Sequence, residues 1–299
     1  MPGGAAKVET KSFVLKSKNQ GADDGGGVSL SGAWTAKRVQ CFAESDDGIH
    51  WTNEQVVLRA DEQDPPSWNI QYLFVIQRGG YYLGFLTMHD EAGFFRIQLA
   101  WSRDGIEWKR AWREPWLDVG PEDAFDMGMV LGPADPIVKE REMWFPYGGF
   151  PIRHDTKETN WQSAIGLATT RLDGFSAWEV DGQANTESEL MTQPFRCNGD
   201  RLLVNAELED GSLRVEVLDE NGKPIDGRDA ASCKPMTGDT LAHSKETGGP
   251  ARWQADQSLE VVQGRIIQLR FLWTKGRLFS FRIADEQTEQ LPVPSATTH

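Results

Sequence analysis

The stretch IQLAWSRDGIEWKR, residues Ile97–Arg110, joins a strand-like run to a Ser-x-Asp-Gly turn and a Trp. The same turn and Trp follow a similar run in VQCFAESDDGIHW, residues Val39–Trp51. A looser third copy is IGLATTRLDGF, residues Ile165–Phe175, with Trp178 after it. With the strand pairs that precede these copies, the repeating unit is about 50 to 70 residues of antiparallel strands, which predicts propeller blades.

The repeated turn has a structural explanation. An Asp before a Gly can accept hydrogen bonds from the backbone N–H groups of its own turn, while the Gly adopts a positive φ. The Trp then packs the turn onto the sheet. We therefore expect Asp47, Asp104 and Asp173 to stabilise turns rather than to perform chemistry.

The composition excludes several classes of partner. Asp and Glu number 45 against 31 Lys and Arg, a net charge of −14, which disfavours nucleic acid and anionic membrane surfaces. No apolar run reaches the roughly 18 residues of a membrane span. The first residues lack a secretory signal, so the chain is expected to be cytoplasmic as written, or secreted if its N-terminus is truncated.

The cysteine and tryptophan contents favour a β protein without a disulfide framework. Cys41, Cys197 and Cys233 show no CxxC spacing and predict buried or half-buried thiols. The 12 Trp residues indicate either large aromatic side chains that fill β-sheet cores or surfaces on which sugar rings stack. Runs such as YYLGFLTMH and FRIQLAWS, bounded by turn formers, predict strands, and no amphipathic helix is apparent.

The turn chemistry changes after about residue 183, which predicts a domain boundary. We expect a flexible leader over 1–29, a propeller over 30–183, a β-sandwich over 184–285 and a loose tail over 286–299. In the predicted sandwich, the strands alternate with period two, and turns are expected at Asp210-Gly211 and Asn221-Gly222.

Several segments together resemble the five-bladed β-propeller glycoside hydrolases. They are the Ser-x-Asp-Gly turns, FDMGMVLGPADPIVKEREMWFPYGG, SAIGLATTRLDGF and RIIQLRFLWTKGRLFSFRI, and the resemblance covers Val39–Ile283. It is a similarity to invertase-like, fructan-degrading and arabinanase-like enzymes. It implies an all-β fold, a five-bladed β-propeller, complete or short of blades, followed by a β-sandwich. It also implies cleavage of a glycosidic bond in an oligo- or polysaccharide.

The resemblance implies a site in which acidic side chains from different blades converge, since hydrolysis needs two carboxyls flanking the glycosidic bond. The positions that match are the catalytic candidates Asp90, Glu122, Asp126 and Asp155 and the substrate-binding candidates His89, Arg153, His154, Trp68 and Trp161. Asp135 is set aside, because Ala134 stands where the invertase motif has an Arg. Neither a metal nor a cofactor is expected, although zinc held by His89, His154 and an Asp, or a calcium ion, are alternatives.

One departure keeps a second function open. The Trp-x-Asn-Asp-Pro-Asn motif that supplies the nucleophile in invertase-like enzymes is absent before Val39. The chain is then either short of blades or builds them from the segments around residues 8–35 and 59–75. A non-catalytic carbohydrate-binding or interaction protein descended from such enzymes is therefore the alternative, with a carbohydrate as partner in both cases. The sugar, its linkage, the stereochemical outcome and the oligomeric state stay open.

Overall fold

The computed structural model describes residues 11–14, 38–110, 112–133, 135–157, 163–180, 187–241, 250–254 and 258–285. In this part of the chain the regular structure is strand, and a short 3₁₀ helix spans Glu260–Val262. The predicted all-β fold class is confirmed. No helix long and apolar enough to cross a membrane occurs in these ranges.

The strands are short, as the turn-bounded runs predict. In chain order they are β1 Lys11–Val14, β2 Arg38–Glu44, β3 Thr52–Arg59, β4 Asn69–Arg78, β5 Tyr81–His89, β6 Phe95–Ser102, β7 Trp108–Lys109, β8 Met129–Leu131, β9 Ile137–Val138, β10 Glu142–Phe150, β11 Ala164–Arg171, β12 Trp178–Val180, β13 Ser188–Met191, β14 Phe195–Arg196, β15 Arg201–Asp219, β16 Met236–Thr240, β17 Ile266–Trp273 and β18 Gly276–Ala284.

The chain divides into two compact units, residues 1–137 with 144–168, and residues 138–143 with 169–299. The domain boundary expected at 183/184 stays a prediction. Residues 11–14 of the predicted leader form β1, which pairs with β2 in a three-stranded sheet of order β1-β2-β3.

Strands β4 to β7 form one four-stranded antiparallel meander, in which each strand pairs with the next. This is the arrangement of a propeller blade. The blade core contains Ile70, Leu73, Leu86 and Met88, with Trp108 packed against it. Trp108 reaches the sheet over Gly84, since a Cβ at Gly84 would lie 2.7 Å from Trp108 Cζ3.

The first two repeated turns are the same structure. In one, the Ile49 and His50 N–H groups donate to Asp47 Oδ1 at 2.8 and 2.7 Å. In the other, the Ile106 and Glu107 N–H groups donate to Asp104 Oδ1 at 2.9 and 2.8 Å.

The glycine and the serine of the two turns also have matching backbone angles and hydrogen bonds. Gly48 and Gly105 take positive φ angles of 74° and 78°. Their N–H groups donate to Ser45 and Ser102 Oγ at 2.8 and 2.9 Å. The turn-capping role predicted for these two copies is confirmed.

The third copy is a different turn, so the prediction that it repeats the first two is wrong. Arg171 stands where the others have Ser, and Asp173 itself takes a positive φ of 53°. The strand that follows, β12, pairs with β18. Without the Ser hydroxyl, the Gly174 N–H donates to the Arg171 carbonyl instead, at 2.9 Å.

The larger sheet has the order β11-β10-β8-β6-β5-β4, with β7 beside β6 and β9 beside β10. Strands β8 and β10 are antiparallel, whereas β6 and β8 meet in parallel at Phe95 and Met129. Because β5 and β10 end where β6 and β8 begin, one edge of this sheet gathers the loops of several segments.

The second unit contains a seven-stranded sheet of order β12-β18-β15-β17-β13, with β14 beside β17 and β16 beside β15. Strand β15 pairs with β18 from Arg201↔Ala284 and with β17 as far as Asp219↔Ile267. Strands β18 and β17 therefore lie end to end along β15, with β18 beside its first part and β17 beside its last part.

Of the two turns predicted in this unit, one is wrong. Asp210 and Gly211 lie inside β15, at an irregularity in its pairing with β16, and do not connect two strands. The Asn221-Gly222 turn is confirmed. Gly222 takes a φ of 77°, and the Asp219 N–H donates to the Lys223 carbonyl across the turn at 2.8 Å.

The core of this unit is formed by the inward side chains of β15 and β17 and by Trp253, Leu259 and Val262. Cys197 and Cys233 are buried and Cys41 is half-buried, all as free thiols, as predicted. A second sheet facing the first, which a sandwich requires, stays a prediction.

Candidate functional site

Four strands of the first unit place their ends together. His89 at the end of β5 pairs with Phe95 at the start of β6. Phe95 meets Met129 at the start of β8, and Met129 pairs with Phe150 at the end of β10. We call this edge, with the loops that leave it, the edge site.

The edge site brings together most of the residues predicted from the sequence. Asn69, which follows Trp68, pairs with His89, and the 153–155 segment continues from β10. The predicted residues on these segments are Trp68, His89, Asp90, Arg153, His154 and Asp155, while Glu122 and Asp126 lie in the loop that leads into β8. Trp161 lies outside the described residues. The roles assigned to these side chains stay predictions.

Asp155 lies between two histidines. Its Oδ2 is 3.1 Å from His89 Nε2, and its Oδ1 is 2.9 Å from His154 Nδ1. Burial raises the pKa of Asp155, but the hydrogen bond with His154 and the charges of both imidazoles lower it by more, so the carboxyl stays ionised. Burial lowers the pKa of His89, and the Asp155 charge opposes this only in part.

The Phe95 ring supports both imidazoles. His89 contacts it edge-on at 5.1 Å between centroids, and His154 stacks on it at 4.9 Å. The backbone N–H of His154 donates to the Gly93 carbonyl at 2.8 Å. Gly93 has a φ of 84°, and a Cβ there would lie 3.3 Å from the Asp155 nitrogen. The turn between β5 and β6 therefore holds the 153–155 segment closely.

Asp90 has a structural position in this turn. Its Oδ1 accepts hydrogen bonds from the Ala92 and Phe94 N–H groups at 2.9 and 3.0 Å. Its Oδ2 accepts a bond from Arg96, which also donates to Asp118 at 2.7 Å. With both oxygens engaged, the carboxylate is a turn cap, much like Asp104 in the blade turn.

Arginine side chains cover the outside of the same turn. The guanidinium groups of Arg96 and Arg153 lie 4.6 and 4.3 Å from the centroid of the Phe94 ring. Cation–π contacts of this kind hold a guanidinium group against the face of an aromatic ring. Arg153 is therefore positioned at the edge site.

Asp126 is buried beside a tyrosine that the sequence analysis missed. The Tyr147 hydroxyl donates to Asp126 Oδ2 at 2.6 Å. Burial first, and then the Asp126 hydrogen bond, raise the pKa of Tyr147 to about 12. Phe125, which is 41% exposed, stacks on the Tyr147 ring with centroids 6.1 Å apart. An aromatic surface thus borders the buried carboxylate.

The loop that carries Asp126 continues towards the 153–155 segment. A Cβ on Gly128 would clash with the backbone of Ile152 and Arg153. The Gly128 N–H donates to the Phe150 carbonyl at 3.0 Å. Glu122 lies in the exposed part of this loop.

A second missed residue, Glu91, connects Trp68 to the turn after β5. Glu91 Oε2 accepts hydrogen bonds from the Trp68 indole and the Ser67 hydroxyl, each at 2.9 Å. Hydrogen bonds from its own backbone, Ser67 and Trp68 lower the Glu91 pKa. In the sequence, the position of Glu91 directly after the candidate Asp90 could have indicated that it belongs to this site. For Tyr147, strand alternation alone did not show which side chains reach the edge.

Comparison with known proteins gives distant likenesses. No protein-family model and no curated protein matches the chain. Among solved structures, an N-acetylgalactosamine deacetylase from F. plautii, in complex with blood group B trisaccharide, is similar with 16% identity and a TM-score of 0.36. The match covers 46% of this chain and 43% of that chain, so it spans less than half of the deacetylase.

A second likeness covers more of the chain. The GH32 beta-fructofuranosidase of Bombyx mori matches with 11% identity and a TM-score of 0.33, covering 91% of this chain and 76% of that chain. A mutant of it in complex with sucrose matches with 9% identity and the same TM-score. At such TM-scores the likenesses do not support an argument about activity.

Proposed function

We propose that this protein acts on a carbohydrate at the edge site and hydrolyses a glycosidic bond there. The observation that carries the proposal is the convergence of carboxylates, an arginine and aromatic rings from separate segments on one sheet edge. Sugar sites combine a few convergent polar groups with apolar faces on which a pyranose ring can stack. Phe125 is the exposed ring next to Asp126, and Arg153 is the positioned cation.

For hydrolysis, we propose Asp155 as the ionised carboxylate and Asp126 as its partner. One carboxyl must attack or activate water while the other donates a proton to the leaving oxygen. The lowered pKa of Asp155 suits the first role. We assign the second role to Asp126, which is buried in the loop that lies against the 153–155 segment. Glu122 on the same loop is the other candidate for the second carboxyl, whereas Asp90 acts as a turn cap.

The alternative is a protein that binds carbohydrate without cleaving it. One observation favours this alternative: Asp155 is held on both oxygens by histidines, which leaves less freedom for a nucleophile. Both functions place the sugar at the same residues, so binding and cleavage must be measured separately.

The test is a glycan-array screen followed by an assay for new reducing ends on the glycans that bind. Asp126→Asn and Asp155→Asn should each abolish release of reducing ends while largely keeping binding. Asp46→Asn, an exposed acid in the first blade turn, is the matched control and should behave as wild type. Binding without any release of sugar ends would support the alternative, and no binding to any glycan would overturn the proposal.

A further inference from the structure

We infer that His89, His154 and Asp155 bind a divalent transition-metal ion of the zinc class. The three side chains offer one donor atom each, and these donors all lie within 4.8 Å of one another. Two imidazoles and one carboxylate form the ligand set of several catalytic zinc sites. The inference goes beyond the proposed function, because the ion would bind without any carbohydrate.

The donor separations suit such an ion. Metal–ligand bonds of about 2.0 to 2.2 Å place tetrahedral donor atoms roughly 3.4 Å apart. The His89 nitrogen and the His154 nitrogen lie 3.1 and 2.9 Å from the two oxygens of Asp155. Shifts of about an ångström or less would therefore let the three groups surround an ion.

The imidazoles are held in place before any ion binds. The His89 side chain is 10% exposed, while Phe95 contacts both rings at about the same distance, 5.1 and 4.9 Å between centroids. The backbone of His154 is fixed by its hydrogen bond to Gly93. Ligands whose rotamers are set by packing lose little freedom on binding a metal.

The site is closed on one side and open on the other. His89 lies at the buried end of β5, whereas the side chains of His154 and Asp155 are 32% and 46% exposed. Three protein ligands with an open side leave a coordination position for water or a substrate oxygen. This is the arrangement of a reactive site rather than of a closed structural one.

The ligand types select among metals. Imidazole nitrogen favours Zn²⁺, Cu²⁺ and Ni²⁺, whereas Ca²⁺ and Mg²⁺ prefer cages of oxygen ligands. A bound ion would also engage the carboxylate of Asp155. Because that carboxylate could then no longer attack or activate water, Zn²⁺ is expected to inhibit any hydrolysis that depends on Asp155.

The experiment is a calorimetric titration of tag-free, chelator-treated protein with Zn²⁺ alone, with Ca²⁺ in a parallel arm. We expect one Zn²⁺ per chain and no comparable Ca²⁺ binding. In His154→Gln and in Asp155→Asn the Zn²⁺ affinity should fall by more than about 10- to 100-fold, since loss of an outer-shell partner alone costs that much. The matched control is His50→Gln. His50 lies 2.6 Å from Asp47 in an exposed histidine–carboxylate pair, and among the described residues this pair belongs to no group of three metal-ligating side chains, so its loss should leave the affinity unchanged.

Co²⁺ loaded in place of Zn²⁺ gives a second measurement, since its visible absorption reports the ligand geometry. The spectrum of wild type should be lost in His154→Gln, and thermal unfolding should show that this variant is folded. Absence of Zn²⁺ binding, or equal affinity in wild type and His154→Gln, would overturn the inference. Glycan binding measured with chelator present tests the proposed function separately, so either idea can fail without the other.

Discussion

Asp64 and Arg110 form a two-pronged ion pair inside the first unit. Both contacts are 2.7 Å long, and each side chain is only 2% exposed. Arg110 also donates to Gln98 Oε1 at 2.5 Å, while Arg113 reaches Asp64 Oδ1 at 3.1 Å. The pair ties the segment between β3 and β4 to the segment after β7.

Breaking this pair from one side should be costly. Arg110→Met leaves the Asp64 charge buried beside Arg113 alone, and we expect a loss of about 3 to 5 kcal/mol in the free energy of unfolding, measured by urea denaturation. Glu207→Gln is the control, because it removes an exposed pair with Arg277 and should cost less than about 1 kcal/mol. If the two variants lose equal stability, the buried pair is not an anchor of the unit.

The same carboxylate should make stability depend on pH. Burial raises the pKa of Asp64, but hydrogen bonds from Arg110 and from the Asp61 backbone, with the arginine charges, lower it by more. A folded pKa below the unfolded value of about 3.9 contributes stability above that pH and loses it as the pH falls through the folded pKa. Denaturation between pH 7 and pH 3 should thus show a steeper acid loss in wild type than in Asp64→Asn.

The blade turn should be a structural element whose removal leaves the edge site intact. Asp104→Ala removes the acceptor of two backbone N–H groups and should lower the midpoint of thermal unfolding. Asp47→Ala should do the same at the first turn. Asp46→Ala, next to it and outside the hydrogen-bond pattern, should change little. Loss of glycan binding in folded Asp104→Ala protein would contradict the structural role.

Tyr147 should report directly on Asp126. Its pKa of about 12 is raised by burial first and by the Asp126 hydrogen bond second. In Asp126→Asn we therefore expect the titration of Tyr147 to shift part of the way back towards the ordinary value of about 10. The measurement is tyrosinate absorbance against pH, with Tyr147→Phe subtracted to isolate this residue. An unchanged titration would mean that the hydrogen bond does not form in solution.

Local chemistry was predictable from the sequence, whereas distant contacts were not. The Asp47 and Asp104 turns depend on residues within four positions, so the motif determines their geometry. Asp210-Gly211 has the same dipeptide, yet a Cβ on Gly211 would lie 2.6 Å from the Lys275 carbonyl. That close backbone approach, and not a reversal of the chain, explains the glycine.

At the edge site, too, local features were predictable from the sequence and distant contacts were not. Asp126 was predicted from the resemblance, which places it at the start of a blade, and Asp155 from its position after a strand-like run. The contacts that give each carboxylate its character come from residues far along the chain, such as His89 beside Asp155 and Tyr147 beside Asp126. Sequence patterns place such residues on strands, but they do not show which strand ends share an edge.

The long strand β15 has a consequence for how the chain matures during synthesis. Its partners along one side are β18, from Arg201↔Ala284, and β17, as far as Asp219↔Ile267, and both leave the ribosome well after β15. Until then, apolar side chains such as Val215 and Val217 stand on a strand with one unpaired edge, which neighbouring nascent chains can join. A premature stop before β17 would therefore yield an aggregating polypeptide rather than a shortened protein.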